Sequence, residues 1–426
     1  MAKLSIDLTP IRVSRDFRSL FFSGLITYFG NMITYVALPF QMAQLTNSFA
    51  AVGLIGVVEL IPLVVFGLYG GTLADTVDRR RLVLIAECAA LVFVLVLCAN
   101  ALVPSPQIWL LYVMAFALSA IDGLQGPSLN AILPRVVSHD QLAAAGALRS
   151  VRYTLGAILG PAIGGLLVAF GGAAFAYGID ALTFGLSVLL LLRLRPLPPL
   201  NEVVERAGMA HILEGVRYAL SRRDLLGTYL IDLCAMIFAF PVAMYPFLAK
   251  EFDAEWALGM LYAATAAGAF LVTITSGWVS HVHRHGRLVA VSAVLWGLGI
   301  GLIAFAPSIW WVLALLMFAG AADMVSGLFR GLIWNQTIPD EVRGRMGSIE
   351  MLSYSVGPLL GQVRSSTAAS LTSLRTSFAT GGLLCIVGVV VSVICVPAIW
   401  AYDVRTNEHA ERERRVRSQA NEPPAR

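Results

Sequence analysis

The sequence predicts an all-α membrane protein: twelve transmembrane helices in two pseudo-symmetric six-helix bundles, with both termini in the cytoplasm. Three observations predict it. The 426 residues are 58% hydrophobic and only 13% charged, with a mean hydropathy of +0.77, too much apolar surface for a protein that must face water on all sides. Apolar runs of about 20 residues, enough to cross a bilayer core, recur along the whole chain. Arginine and lysine collect in the loops of one side only, which orients the chain.

The runs lie near 20–43, 50–70, 82–101, 107–129, 148–170, 173–194, 225–249, 257–279, 288–306, 309–333, 349–370 and 377–401. Outer connections are short and uncharged, as at Thr46 to Ser48, Pro104 to Gln107, Gly171 to Ala173 and Ala306 to Ser308. The inner side holds Arg79–Arg81, Arg135, Arg149, Arg193, Arg195, Arg222, Arg223, Arg284, Arg287, Arg343 and Arg345. With both termini inside, only Lys250 and Arg375 of the 30 lysines and arginines fall outside. Tryptophans mark both interfaces, with Trp109, Trp256, Trp310 and Trp311 outside and Trp278, Trp334 and Trp400 inside.

Residues 1–194 form the first bundle and 225–402 the second. Between them, 195–224 is a cytoplasmic linker. It opens on the proline-rich RLRPLPPLNE and continues into an interfacial helix that puts Ile212, Leu213, Val216 and Leu220 on one face. The charged, proline-ended segment 403–426 reads as a disordered cytoplasmic tail.

Other classes are disfavoured. The net charge of +4 comes from arginines at helix ends, not from a patch that binds nucleic acid. Cys88, Cys98, Cys234, Cys385 and Cys395 lie in apolar segments without metal-type spacing. His281, His283 and His285 alternate in a basic loop and read as exposed cations rather than a zinc site. The N-terminal twenty residues lack the pattern of a cleavable signal peptide. No cofactor is expected, and nothing resembles a phosphate-binding loop or a nucleophile with its base, so the chain is not expected to be an enzyme.

The two halves echo each other. Asp122-x-x-x-Gly126 corresponds to Asp323-x-x-x-Gly327, and GPAIGG (Gly160–Gly165) to GPLLGQ (Gly357–Gln362). The charged hinge GTLADTVDRRR (Gly71–Arg81) has a degraded counterpart in GWVSHVHRHGR (Gly277–Arg287). Duplicated halves with a site between them are a transporter architecture.

The hinge resembles the loop signature of the major facilitator superfamily, Gly-x-Leu-Ala-Asp-Arg-x-Gly-Arg-Arg-Arg. Gly71, Leu73, Asp75, Arg79, Arg80 and Arg81 match it, whereas Thr76 and Asp78 depart, the latter replacing a glycine. GAILGPAIGG is similar to the signature of proton-coupled exporters, matched by Gly156, Gly160, Pro161, Gly164 and Gly165. The stretches Ile132–Leu148, Ile212–Asp232 and Thr337–Ile349 resemble the branch that holds enterobactin exporters and macrolide or multidrug efflux proteins. The resemblance implies a multi-pass protein of the bacterial plasma (inner) membrane. It implies export of an amphipathic small molecule by proton antiport, and a gate role for Asp75, which caps the next helix and latches arginines. In drug exporters an arginine proposed for proton transfer precedes the Gln-Gly pair of span four. Here Gln125 and Gly126 match, but Asp122 stands in the arginine's place.

A charge inside lipid costs at least about 2.5 kcal/mol and therefore needs a partner, water or a task. By the helical rise, Glu59 lies about 15 Å and Arg364 about 12 Å from the outer surface. Either they pair across the halves in one state and part in another, or they stay in separate environments. Asp122 and Asp323 share a depth of about 21 to 23 Å. Either they carry the coupling proton, or they are hydrogen-bonded structural groups beside Arg152 and Arg330. Arg79–Arg81 are read as mainly topogenic. The glycines of Gly156–Gly165 pack helices closely and Pro161 bends the span, which seals or rocks the halves. Tyr28, Tyr35, Phe240 and Tyr245 either line a cavity or face lipid. The expected partners are a small-molecule substrate and the bilayer, for a protein that works as a monomer. An importer or uncoupled transporter is the alternative, and a membrane scaffold a more distant one.

Overall fold

A computed structural model describes residues 7–198, 217–218 and 220–420. The interfacial helix expected around 212–220 falls almost wholly outside these residues. Among the described residues the secondary structure is entirely helical. Lipid imposes this, because only a helix satisfies its backbone polar groups within one segment, short of a closed barrel.

The chain opens with α1 (Thr9–Val13) and α2 (Arg15–Thr46), followed by α3 (Phe49–Thr76), α4 (Arg79–Leu102), α5 (Ile108–Val136) and α6 (Leu142–Leu191). Beyond the linker come α7 (Arg223–Ala239), α8 (Tyr245–Glu251), α9 (Leu258–Ile274), α10 (His285–Leu302), α11 (Ile309–Thr337), α12 (Asp340–Leu371), α13 (Leu374–Cys395), α14 (Pro397–Ala401) and α15 (Glu408–Ala420). Among the described residues, ten helical stretches are long and apolar enough to cross a membrane. Their ends follow capping chemistry. Ser14 Oγ accepts from Phe17 N at 3.0 Å, Ser48 Oγ from Ala51 N at 3.3 Å and Ser373 Oγ from Thr376 N at 3.1 Å. Asn47 closes α2 at φ 47°, a conformation Asn tolerates better than most residues.

At 50 residues, α6 is longer than any single crossing requires. Gly172, at φ 72° and ψ −178°, breaks it between the two runs expected at 148–170 and 173–194. That backbone region is open to glycine and almost nothing else.

The residues fall into two compact units. One lies within Met1–Gly208 and Tyr245–Ala263, the other within Met209–Met244 and Ala264–Arg426. Tyr245–Ala263, expected in the second bundle, thus belongs with the first unit. The physical reason is visible inside that unit. The Phe49 and Phe247 rings lie 4.3 Å apart, Lys250 Nζ donates to Asn47 Oδ1 at 3.0 Å, and Gly165 meets Gly259 backbone to backbone.

The tail expected to be disordered from 403 carries α15 instead. Asn407 Oδ1 accepts from His409 N and Ala410 N, both at 3.1 Å, and so caps the helix. Ala410 and Glu413 are buried, and Val404 N donates to His283 O at 3.0 Å. Composition alone underrates such a segment, because a docking face needs only a few residues.

Candidate functional site

The cytoplasmic end of the first unit is held by a clasp centred on the hinge. Asp78, φ −58°, is the N-cap of α4, with Oδ1 accepting from Arg81 N at 3.1 Å. The cap expected from Asp75 is therefore made by Asp78, in a conformation that needs no glycine. The surroundings of Gly71 and the side chain of Asp75 are outside what the structure describes; Leu73 O accepts from Val77 N at 3.1 Å as α3 ends. The second oxygen of Asp78 accepts from Leu197 N at 3.0 Å, and Arg79 N returns a bond to Leu197 O at 3.2 Å.

The arginines are more than topological marks. Arg79 donates to Ala131 O at 3.2 Å, and Arg80 to Leu192 O at 2.8 Å. Both carbonyls lie near helix C-termini, where a cation also meets the negative end of the dipole. Arg135 donates to Pro198 O at 2.6 Å, Arg195 donates to Arg135 O at 2.7 Å, and Arg195 pairs with Asp16 at 3.1 Å. Beneath these polar ties Leu194 and Leu197 join a core with Phe17, Leu20, Val83 and Ile132. Burying each leucine contributes roughly 1.5–3 kcal/mol, so apolar packing anchors the strap and Asp78 sets its register.

The exporter-type motif packs α6 onto α2. Gly156 lies against the Tyr28 ring, Gly160 against Met32, and Gly164 against Ile33. Pro161 is inside the helix. Close packing is thus its visible role. Arg152 is buried with its guanidinium against Gly24 and 4.9 Å from the Tyr153 ring centroid, and Tyr153 meets Tyr28 edge-on at 5.0 Å.

Four intramembrane carboxylates share the first unit. Glu59 is half-buried on α3 and Asp122 exposed on α5. The hydroxyl of Ser119 ties the two helices through the Glu59 backbone carbonyl at 2.6 Å. Sequence reasoning passed over Glu87. Glu87 is 3% exposed and accepts from Thr27 Oγ1 at 2.9 Å and from Gln125 Nε2 at 2.7 Å. Asp180 accepts from Thr34 and Thr183. Glu59 feels the charge of Asp122, Asp122 that of Glu87, and Asp180 those of both Glu87 and Asp122.

In the second unit Arg330 forms a buried ion pair with Asp232 of α7. The charge partner for Arg330 therefore comes from a helix the sequence reading had not linked to it; Asp323 is half-buried seven residues earlier on α11. Trp334 donates to Thr228 Oγ1 at 2.9 Å and stacks on Tyr229 at 5.0 Å, walling the pair. Arg364 donates to Ser377 O at 3.0 Å and lies against Gly381. Phe240 marks the end of α7 and packs on Gly361. Tyr245, in the first unit, is 1% exposed and meets Tyr262 edge-on at 5.0 Å. It is buried among aromatic rings. Tyr35 joins that cluster at 6.2 Å from Tyr262.

A family profile described as a transmembrane secretion effector of the facilitator type matches residues 5–422. The chain belongs to the major facilitator superfamily. This facilitator is 30% identical over 396 residues to the enterobactin exporter EntS of Shigella boydii serotype 18, covering 92% of this chain and 94% of the relative. The enterobactin exporter EntS of Escherichia coli O81 matches with the same identity and coverage. Solved facilitators share the fold. A POT family transporter in complex with 5-aminolevulinic acid superposes with a TM-score of 0.71 at 14% identity, over 91% of this chain and 97% of that one. The nucleoside transporter NupG superposes at 0.66 with 16% identity, over 90% and 98%. A bacterial homologue of the human lysosomal transporter Spinster gives 0.68 at 13%, over 96% and 98%. The facilitator is a membrane transporter, multi-pass in a bacterial inner membrane.

Proposed function

We propose that this transporter exports an amphipathic small molecule, a siderophore or a hydrophobic drug, in exchange for protons. Alternating access would come from two six-helix halves moving about a central site, with N- and C-termini in the cytoplasm. Twelve crossings result if α6 crosses twice about Gly172, the polar α12 crosses once, and the nine other apolar helices cross once each. The observation that carries export is the 30% identity to enterobactin exporters across 92% of the chain. The intramembrane carboxylates of the first unit support the proton as coupling ion, since a carboxylate in lipid needs a partner, water or a proton. One chain holds both halves, so a monomer suffices, and no cofactor beyond the proton is invoked.

Inside-out vesicles with an acidic lumen test the reading. Enterobactin should accumulate in the lumen, and collapsing the gradient should abolish the accumulation. Accumulation indifferent to the gradient would establish an uncoupled transporter. Accumulation only in right-side-out vesicles would establish an importer.

A further inference from the structure

One face of α2 is polar and buried over most of its length. Ser19, Ser23, Thr27, Thr34 and Gln41 are all buried on it, and with Gly30 they recur at the three-, four- and seven-residue steps of a single helical stripe. This face meets α4, α5 and α6 inside the first unit. Thr27 donates to Glu87 at 2.9 Å, Thr34 donates to Asp180, and the Tyr177 hydroxyl donates to Gln41 Oε1 at 3.0 Å. Gly30 leaves the space that Asp180 and Thr183 fill, since a Cβ there would overlap both. From Gln41 to Thr27 the stripe rises about 21 Å, a large part of a membrane core.

The donors around the two acids are informative. Glu87 is served by Thr27 and Gln125, and Asp180 by Thr34 and Thr183. The neighbouring charges are acidic: Glu87 reaches Asp122, and both reach Asp180. A hydroxyl can donate to a carboxylate or, after rotating, accept from a carboxylic acid. Thr27 and Thr34 therefore satisfy either protonation state without rebuilding the site, which a fixed cation would not do.

We propose that Glu87 and Asp180 form a proton-holding site inside the first unit, walled by the polar face of α2 and distinct from the exposed Asp122. A proton binds one carboxylate, the threonine hydroxyl beside it reverses, and loss of the proton restores the first arrangement. In transport the site would pass protons between the Gln41 end and Asp122; this role rests on the proton-antiport reading, whereas proton binding does not.

The test uses purified full-length protein in nanodiscs, with the proton itself as probe and a soluble pH indicator as reporter. After an acid pulse, Glu87→Gln and Asp180→Asn should each take up about one proton fewer than the wild type. Uptake equal to the wild type in both overturns the site. If either variant fails to fold, Thr27→Val keeps the acid and removes the reversible hydroxyl. It should slow proton uptake at least about tenfold, and unchanged uptake overturns the proposal equally. In proteoliposomes Glu87→Gln should lose gradient-driven enterobactin accumulation while enterobactin exchange at equal pH stays within about twofold. Loss of both to the same degree assigns Glu87 a structural role and sinks the proposal. A wild type that takes up the extra protons but shows no gradient-driven accumulation refutes antiport and leaves the site standing.

Discussion

Asp78 caps α4 through one carboxylate oxygen and holds the Leu197 amide with the other, across 119 residues of sequence. A single side chain thereby fixes the start of a helix and the start of the linker. The superfamily pattern has glycine here, so this chain replaces a flexible turn with a bond that spans two loops.

Asp78→Gly, which restores the family residue, should cost roughly a few tenths of a kcal/mol for the lost cap, since glycine is itself a fair N-cap, and about 1 kcal/mol for the lost bond to Leu197. Amide hydrogen exchange should show Leu197 losing protection while the middle of α4 keeps it. Undiminished protection at Leu197 would show that Leu194 and Leu197 hold the strap without Asp78.

The buried pair of Arg330 and Asp232 predicts a pattern of thermal shifts. Asp232→Asn alone takes a counter-charge from a buried cation and should destabilise by roughly 3–5 kcal/mol. Adding Arg330→Gln should recover part of that, because the second change removes the buried cation. Melting in detergent, followed by tryptophan fluorescence, reads both through Trp334.

Gly160 and Gly164 should differ although they belong to one motif. A Cβ at Gly160 would lie 2.5 Å from the Met32 Cβ, an atom that the backbone fixes, whereas a Cβ at Gly164 would lie 3.0 Å from the Ile33 Cα. Gly160→Ala should therefore lower stability by about 1–3 kcal/mol, and Gly164→Ala by less. Equal melting temperatures for the two variants would contradict this packing.

Gly172→Ala tests the turn in α6. At φ 72° and ψ −178° an alanine is strained, by about 1–3 kcal/mol. The loss should appear as lower thermal stability, and an unchanged melting temperature would contradict the strain at this turn.

The spans were legible because apolar length is a local property, which hydropathy reads directly. It is weakest for α12, whose run near 349–370 is diluted by Ser, Glu and Arg and is not among the ten apolar stretches. Glu87 stayed hidden for another reason. It stands only eight residues after the start of α4, where a charge reads as a helix end, and its partners Thr27 and Gln125 lie 60 and 38 residues away. The stripe on α2 was the available signal, since polar residues at helical spacing in a span point to a buried face. The clasp offered no such signal: nothing local ties Asp78 to Leu197. The hinge was correctly singled out, but its capping residue was assigned by family pattern to Asp75 when the geometry puts it at Asp78.

The polar face of α2 also bears on how the protein is made. A helix with serines, threonines and a glutamine along one side enters lipid at a penalty until its partners arrive. Thr34 meets Asp180, 146 residues later in the chain, and at about 5–20 residues per second that is roughly 7–30 s of synthesis. The polar face of α2 is thus completed only once α6 has been made. A premature stop between α2 and α6 would leave a membrane segment that the cell's quality control can recognise by its unsatisfied side.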